Sequence, residues 1–97
     1  MALGSKKLPN GNEQERGVVI RSSAELGAVI RAQRKRLVLK QLDIAGLGNT
    51  GNRFVVELEG GKPTVQLQKV LDVVALLGLE LVVRHKTTPG LAKPPGQ

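Results

Sequence analysis

The sequence predicts a small, mainly α-helical domain of four to five helices with a C-terminal β-strand. Three observations carry that expectation. Apolar residues recur at helical spacing, first as Leu26, Val29 and Ile30 and later as Leu67, Val70, Leu71, Val74 and Leu77. Start and stop signals punctuate those stretches: Ser22-Ser23-Ala24-Glu25, Gly48-Asn49, Gly60-Gly61-Lys62-Pro63 and Gly78. After Gly78 the period changes, because Leu79, Leu81 and Val83 alternate with Glu80, Val82 and Arg84 as in a half-buried strand. A chain of 97 residues makes one domain with a thin core, which a partner subunit would thicken.

The elements follow in order. Residues 1–17 are polar and aperiodic, and residues 85–97 (HKTTPGLAKPPGQ) offer almost nothing to bury, so both read as disordered tails around an ordered domain at 18–84. The first helix begins at Ser23, where serine and Glu25 form a capping box. It carries Leu26, Val29, Ile30 and Leu37 on one face. Arg31, Arg34, Lys35 and Arg36 crowd its last turn, where cations suit the helix dipole and face either solvent or phosphate. A second helix covers 40–47 and a third 51–59, the latter stopped by the Gly-Gly-Lys-Pro run. Thr64 is placed to cap a fourth, whose apolar stripe is Leu67, Val70, Leu71, Val74 and Leu77. Val73 and Leu76 fall outside that stripe and imply either a second buried contact, most simply another copy of the chain, or a wider core within the chain itself. The final strand must pair with residues 18–20, with its twofold mate, or with both. Val73, Leu76, Leu79, Leu81 and Val83 are therefore the expected homodimer contacts.

Composition removes several function classes. Fifteen cations against eight anions give a formal charge of +7, which favours a polyanionic partner. There is no cysteine, and His85 is the single imidazole, so neither disulfides nor a zinc site is expected. No apolar run is long enough to span a bilayer and no secretory signal opens the chain, which points to the cytoplasm. Phe54 is the lone aromatic, which argues against base stacking on single strands. No catalytic constellation and no cofactor are expected.

Residues 41–58, QLDIAGLGNTGNRFVVEL, support two incompatible readings. In one, two short helices meet at Gly48-Asn49, turning Ile44, Ala45, Val55 and Leu58 inward and Asn52, Arg53 and Glu57 outward, as a DNA-reading helix-turn-helix does. In the other, Gly46-Leu47-Gly48-Asn49-Thr50-Gly51 is a G-x-G-x-x-G loop that cradles a pyrophosphate. The loop reading needs a buried strand beforehand, yet Lys40, Gln41 and Asp43 occupy it; the helix that follows is short, and Asp72 sits in mid-helix. The two-helix reading is favoured. On it, Arg53 can grip guanine O6 and N7 and Asn52 can grip adenine N6 and N7, unless Asn52 merely caps its helix. Thr50 reaches a phosphate or a thymine methyl. Glu57 suits a salt bridge or solvent better than a cytosine amino group. Residues 48–60 hold one arginine against two glutamates, so general attraction to phosphate falls to Lys40, Arg36, Lys62 and the tails.

These residues, with ELGAVIRAQRKRL before them and RFVVELEGGKPT running from Arg53 to Thr64, resemble the Xre/Cro-type helix-turn-helix repressors, and in particular HipB-type antitoxins, over about 60 residues from Ser22 to Arg84. The resemblance implies a lambda-repressor-like DNA-binding domain with its C-terminal strand used in dimerisation. It implies that Gln41 opens the second helix and binds phosphate, that Ala45 lets the two helices touch, and that Val55 and Leu58 anchor the recognition helix. It also implies that Arg34 and Glu59 form a buried structural ion pair. Three positions depart from the family: Lys40 stands where a capping Thr, Ser or Asn is usual, Gly48 replaces a larger apolar residue, and Asn49 replaces the turn glycine. Asparagine tolerates the left-handed backbone needed there. The implied function is a dimeric repressor of a duplex operator, nucleoid-associated in the cytoplasm, acting as an antitoxin that represses its own operon and binds a HipA-like kinase toxin. The alternatives are a phage-type repressor without toxin, a nucleotide-binding protein, and an architectural partner that only stabilises another protein.

Overall fold

The computed structural model describes residues 17–86, in which four helices run in the order α1 Ser23–Arg36, α2 Gln41–Leu47, α3 Asn52–Glu59 and α4 Leu67–Leu76. The remainder of both expected tails lies outside the described residues.

Helix starts follow local chemistry. Ser22 caps α1, its hydroxyl accepting from the Glu25 amide at 3.1 Å, while the Glu25 carboxylate reaches back to the Arg21 N–H. Lys40 caps α2 without a side-chain acceptor, since an ammonium has no lone pair, but Asp43 accepts from the Lys40 N–H at 2.8 Å. Gly51 caps α3. Helix α4 corrects the expectation, beginning at Leu67 behind Gln66 rather than at Thr64. The reason lies in Val65: it packs on the core and stands at N′, with Val70 at N4, the two positions of a hydrophobic staple. Docking Val65 consumes the residues after Pro63, so Thr64 stays in the connection.

All four helices end alike, with paired amide bonds folding back onto the last turn. The amides of Leu39, Thr50, Lys62 and Leu79 donate to the carbonyls of Arg34, Ala45, Glu57 and Val74 at 2.9–3.1 Å. Each such turn needs one left-handed residue, supplied here by Val38 (φ 59°), Asn49 (φ 54°), Gly61 (φ 85°) and Gly78 (φ 77°). Glycine adopts this conformation freely and asparagine tolerably, whereas a β-branched valine is strained in it.

The core comprises Ile30, Ile44, Ala45, Val55, Leu58, Val70, Val73, Val74 and Leu77. Helix α3 packs on both α1 and α2, and α4 closes against α2. Contact between α1 and α3 is backbone-close: a Cβ on Gly27 would lie 2.5 Å from the Leu58 carbonyl oxygen and 2.7 Å from that of Glu59.

Three expectations are corrected. Val73 is 1% exposed and belongs to its own chain's core, because the buried seam of α4 is Val70, Val73, Val74 and Leu77; Leu67 is left 68% exposed, beside a partly exposed Leu71. Residues 79–84 form no strand, and neither do residues 18–20. Leu79 gives its amide to the end of α4, and no neighbouring strand exists among the described residues to pair the rest, so Leu81 stays largely exposed and Val83 fully so. The glycine-loop reading also fails, since residues 41–47 are helical and Gly46 lies inside α2.

Two substitutions test this account. Val38→Gly removes the strain at an 86% exposed site and should raise unfolding free energy by about 1 kcal/mol. Gly27→Ala should lower it by roughly 1–3 kcal/mol, because two backbone carbonyls stand where the methyl must go. Urea midpoints that leave either variant level with the parent would contradict the corresponding contact.

Candidate nucleic-acid interface

The bend between α2 and α3 sets the site. Asn49 in the left-handed region reverses the chain, and the Thr50 amide closes onto Ala45 at 2.9 Å, so α3 starts almost at once behind Gly51. Asn52 is the first residue of α3 and not its cap, which leaves its amide free of a capping role. The Thr50 hydroxyl oxygen is enclosed and has no partner among the described residues.

Val55, Leu58 and Glu59 take the inner side of α3, which turns Arg53 and Val56 outward with Glu57 partly exposed, and Asn52 is exposed at the start of the helix. The Arg53 side chain is 88% exposed, yet its Nε donates to Glu57 Oε2 at 3.1 Å, and Lys62 Nζ reaches the same oxygen at 3.3 Å. The Arg53 hydrogen bond first, then that of Lys62, hold the Glu57 carboxyl below the ordinary carboxylate range. Lys40 and Arg36 are exposed nearby in sequence, on the α1–α2 connection and the last turn of α1. Sequence reasoning missed Val56, which is 45% exposed. Its apolar character reads as core, and only its helical angle, one residue past the buried Val55, marks it as outward-facing. On the other flank of α3, Lys69 of α4 lies over the Phe54 ring at 5.7 Å.

Beneath the surface lies a polar network. Arg34 Nε and Nη2 donate to the two Glu59 oxygens at 2.6 and 3.0 Å, and Arg34 Nη1 donates to the Leu39 carbonyl at 2.8 Å. Gln41 Nε2 donates to Glu59 Oε1 at 3.0 Å, so this side chain ties the start of α2 to the end of α3 and keeps one amide hydrogen for another acceptor. Burial alone would raise the Glu59 carboxyl, but bonds from Arg34 and Gln41, helped by the Arg34 charge, outweigh it and hold the pKa down. The Arg34 guanidinium is pushed the opposite way, up, chiefly by its bond to Glu59.

No group of three or more potential ligand side chains that could hold a metal occurs among the described residues, and no helix there is long and apolar enough to cross a membrane. No family model matches the chain. It is 45% identical over 62 residues, 64% of this chain and 82% of the relative, to y4mF of Sinorhizobium fredii, described as an uncharacterised HTH-type transcriptional regulator.

The ion pair carries a pH signature. Glu59 is depressed in the folded state, so its stabilisation is complete above the unfolded value of 4.5 and is lost as pH falls through the lower folded value. Unfolding free energy should decline below about pH 4.5, and Glu59→Gln should flatten that part of the decline. At neutral pH, Arg34→Ala strands a buried carboxylate and should cost roughly 3–5 kcal/mol by chemical denaturation.

Proposed function

Because the chain belongs to the helix-turn-helix transcriptional regulators, we propose that it is a sequence-specific repressor that lays α3 in the major groove of duplex DNA. The observation that carries this reading is the outward face of α3, where Asn52 and Arg53 project from the helix start while the other side is fixed to the core. In this docking the first turn of a recognition helix meets base edges. Arg53 reads a guanine, Asn52 reads an adenine, and Gln41 lies at the start of α2 near the backbone, whereas the enclosed Thr50 hydroxyl does not reach it. Lys40, Arg36 and Lys62 supply attraction to phosphate that is indifferent to sequence.

Within the family, the Xre/Cro type is supported by the sequence likeness from Ser22 to Arg84. A homodimer places two α3 helices about 34 Å apart on a near-palindromic operator. It is favoured by exposed apolar side chains left over on and after α4: Leu67, Leu71, Leu76, Leu81 and Val83. An antitoxin role, with a HipA-like kinase toxin as partner, rests on the likeness to HipB-type proteins alone; co-purification of a kinase-like protein encoded beside this chain tests it, and a phage-type repressor without toxin is the outcome if none is found. The protein acts in the cytoplasm, on the nucleoid, without catalysis or cofactor.

Selection from a random duplex library should give a two-half-site operator for the parent chain. Arg53→Ala should lose discrimination at one base pair in each half-site, worth about 1–3 kcal/mol, with its melting temperature little changed. A parent chain that binds scrambled duplex as tightly as any selected site at physiological salt sinks the repressor reading in favour of an architectural role.

A further inference from the structure

A carboxylate on a face that meets a polyanion weakens binding to every sequence, so Glu57 has to bring something else. As a stabiliser it brings little, because the Arg53 side chain is almost wholly in water and exposed helix ion pairs contribute weakly. Its geometry is more informative. The one oxygen Oε2 takes both Arg53 Nε and Lys62 Nζ, which joins the first turn of α3 to the loop beyond its end.

We propose that Glu57 is a specificity-determining positioning residue that acts through Arg53. This rests on the DNA-reading role of α3. An arginine on a helix in the major groove has two competing acceptors, the phosphates at the groove walls and the guanine edge at its floor. Held at Nε, the Arg53 guanidinium is restrained from swinging to phosphate, while both of its Nη nitrogens remain for guanine O6 and N7. The same carboxylate offsets the charges of Arg53 and Lys62, so the pair presents one net positive charge instead of two to DNA of any sequence. Glu57 is ionised at neutral pH as any ordinary carboxylate is, and the two cations favour that form further. It therefore lowers affinity for arbitrary DNA and keeps affinity for the correct base pair.

The full chain and its Glu57→Gln, Glu57→Asp, Arg53→Ala and doubly substituted Arg53→Ala/Glu57→Gln variants are titrated, over a range of salt, with three duplexes. These are the site selected by the parent, the same site with the Arg53-dependent guanine changed to adenine, and a scrambled sequence. Unfolding midpoints are measured alongside and are expected to match the parent for Glu57→Gln. Glu57→Gln should bind the scrambled duplex about fivefold more tightly, with a salt slope steeper by about one phosphate contact. Its preference for guanine over adenine should fall roughly tenfold, and this loss should vanish in the Arg53→Ala background. Glu57→Asp, which keeps the charge but shortens the reach, should lose the preference and keep the weak scrambled binding. The proposal is overturned if Glu57→Gln leaves both quantities within twofold of the parent. It is equally overturned if Glu57→Gln still changes base preference without Arg53, since Glu57 would then read a base itself. A parent chain with no preference among the three duplexes defeats instead the DNA-reading role on which the inference stands.

Discussion

The closeness of α1 to α3 governs where the rest of the molecule points. Gly27 has no side chain, and the carbonyls of Leu58 and Glu59 occupy the space one would fill; two turns further along α1, Arg34 grips the Glu59 carboxylate with two nitrogens. At the other end of the contact, the Ser23 hydroxyl donates to the Gly61 carbonyl at 2.9 Å, where Gly61 lies against Ala24. Steric contact fixes the distance between the helices and the ion pair fixes the rotation of α3 about its own axis. Once Glu59 is committed inward, Val55 and Leu58 go with it, and the 100° step between residues leaves Arg53, Glu57 and Val56 away from the core, while Asn52 is exposed because it opens the helix.

A buried ion pair is a poor way to gain stability, since desolvating two charges consumes most of their attraction. Here every nitrogen of Arg34 has an acceptor, and Glu59 receives a further bond from Gln41, so no charge is left unsatisfied. What the network supplies is register. An apolar pair would tolerate α3 rolling by a fraction of a turn, which would carry Arg53 away from its direction. Arg34, Glu59 and Gln41 come from three different helices, so the same network holds the angle of the bend between α2 and α3.

How far the fold was legible depended on the range of the interaction that decides each feature. The Ser22-Glu25 cap, the Asn49 bend and the glycine stops at Gly61 and Gly78 are local chemistry, and each was readable. Val38 gave no warning, because valine normally forbids the left-handed turn; it occurs because the Leu39 amide and carbonyl are both drawn back to Arg34. Val70, Val74 and Leu77 of the expected α4 stripe are buried, and the stripe was off by one flank because Leu67-Leu71 and Val73 fit helical spacing beside them equally well. Nothing local in the sequence singles out Gly27, since its reason sits 31 residues away at Leu58. In the interface, Arg53 was visible as a polar residue opposite an apolar face and Asn52 as one at the helix start, whereas Val56 was hidden by its type and the second hydrogen bond to Glu57 needed the position of Lys62.

On the proposed docking of α3 against duplex DNA, the charge of the molecule is arranged so that attraction and reading are separated. Residues 48–60 carry one cation against two anions, one of which is buried, while the +7 excess of the whole chain lies elsewhere. Lys40 and Arg36 flank the Val38 turn at the junction of α1 and α2, off the reading helix, and Lys62 follows the end of α3 where Glu57 can hold it. Cations at the rim attract any duplex and set the register of docking, and their effect fades with salt. A nearly neutral α3 then adds little sequence-independent affinity, so whatever it contributes depends on hydrogen-bond geometry in the groove. Were Arg53 free and the helix strongly basic, phosphate would compete with the base edge at every position and the discrimination between sequences would shrink.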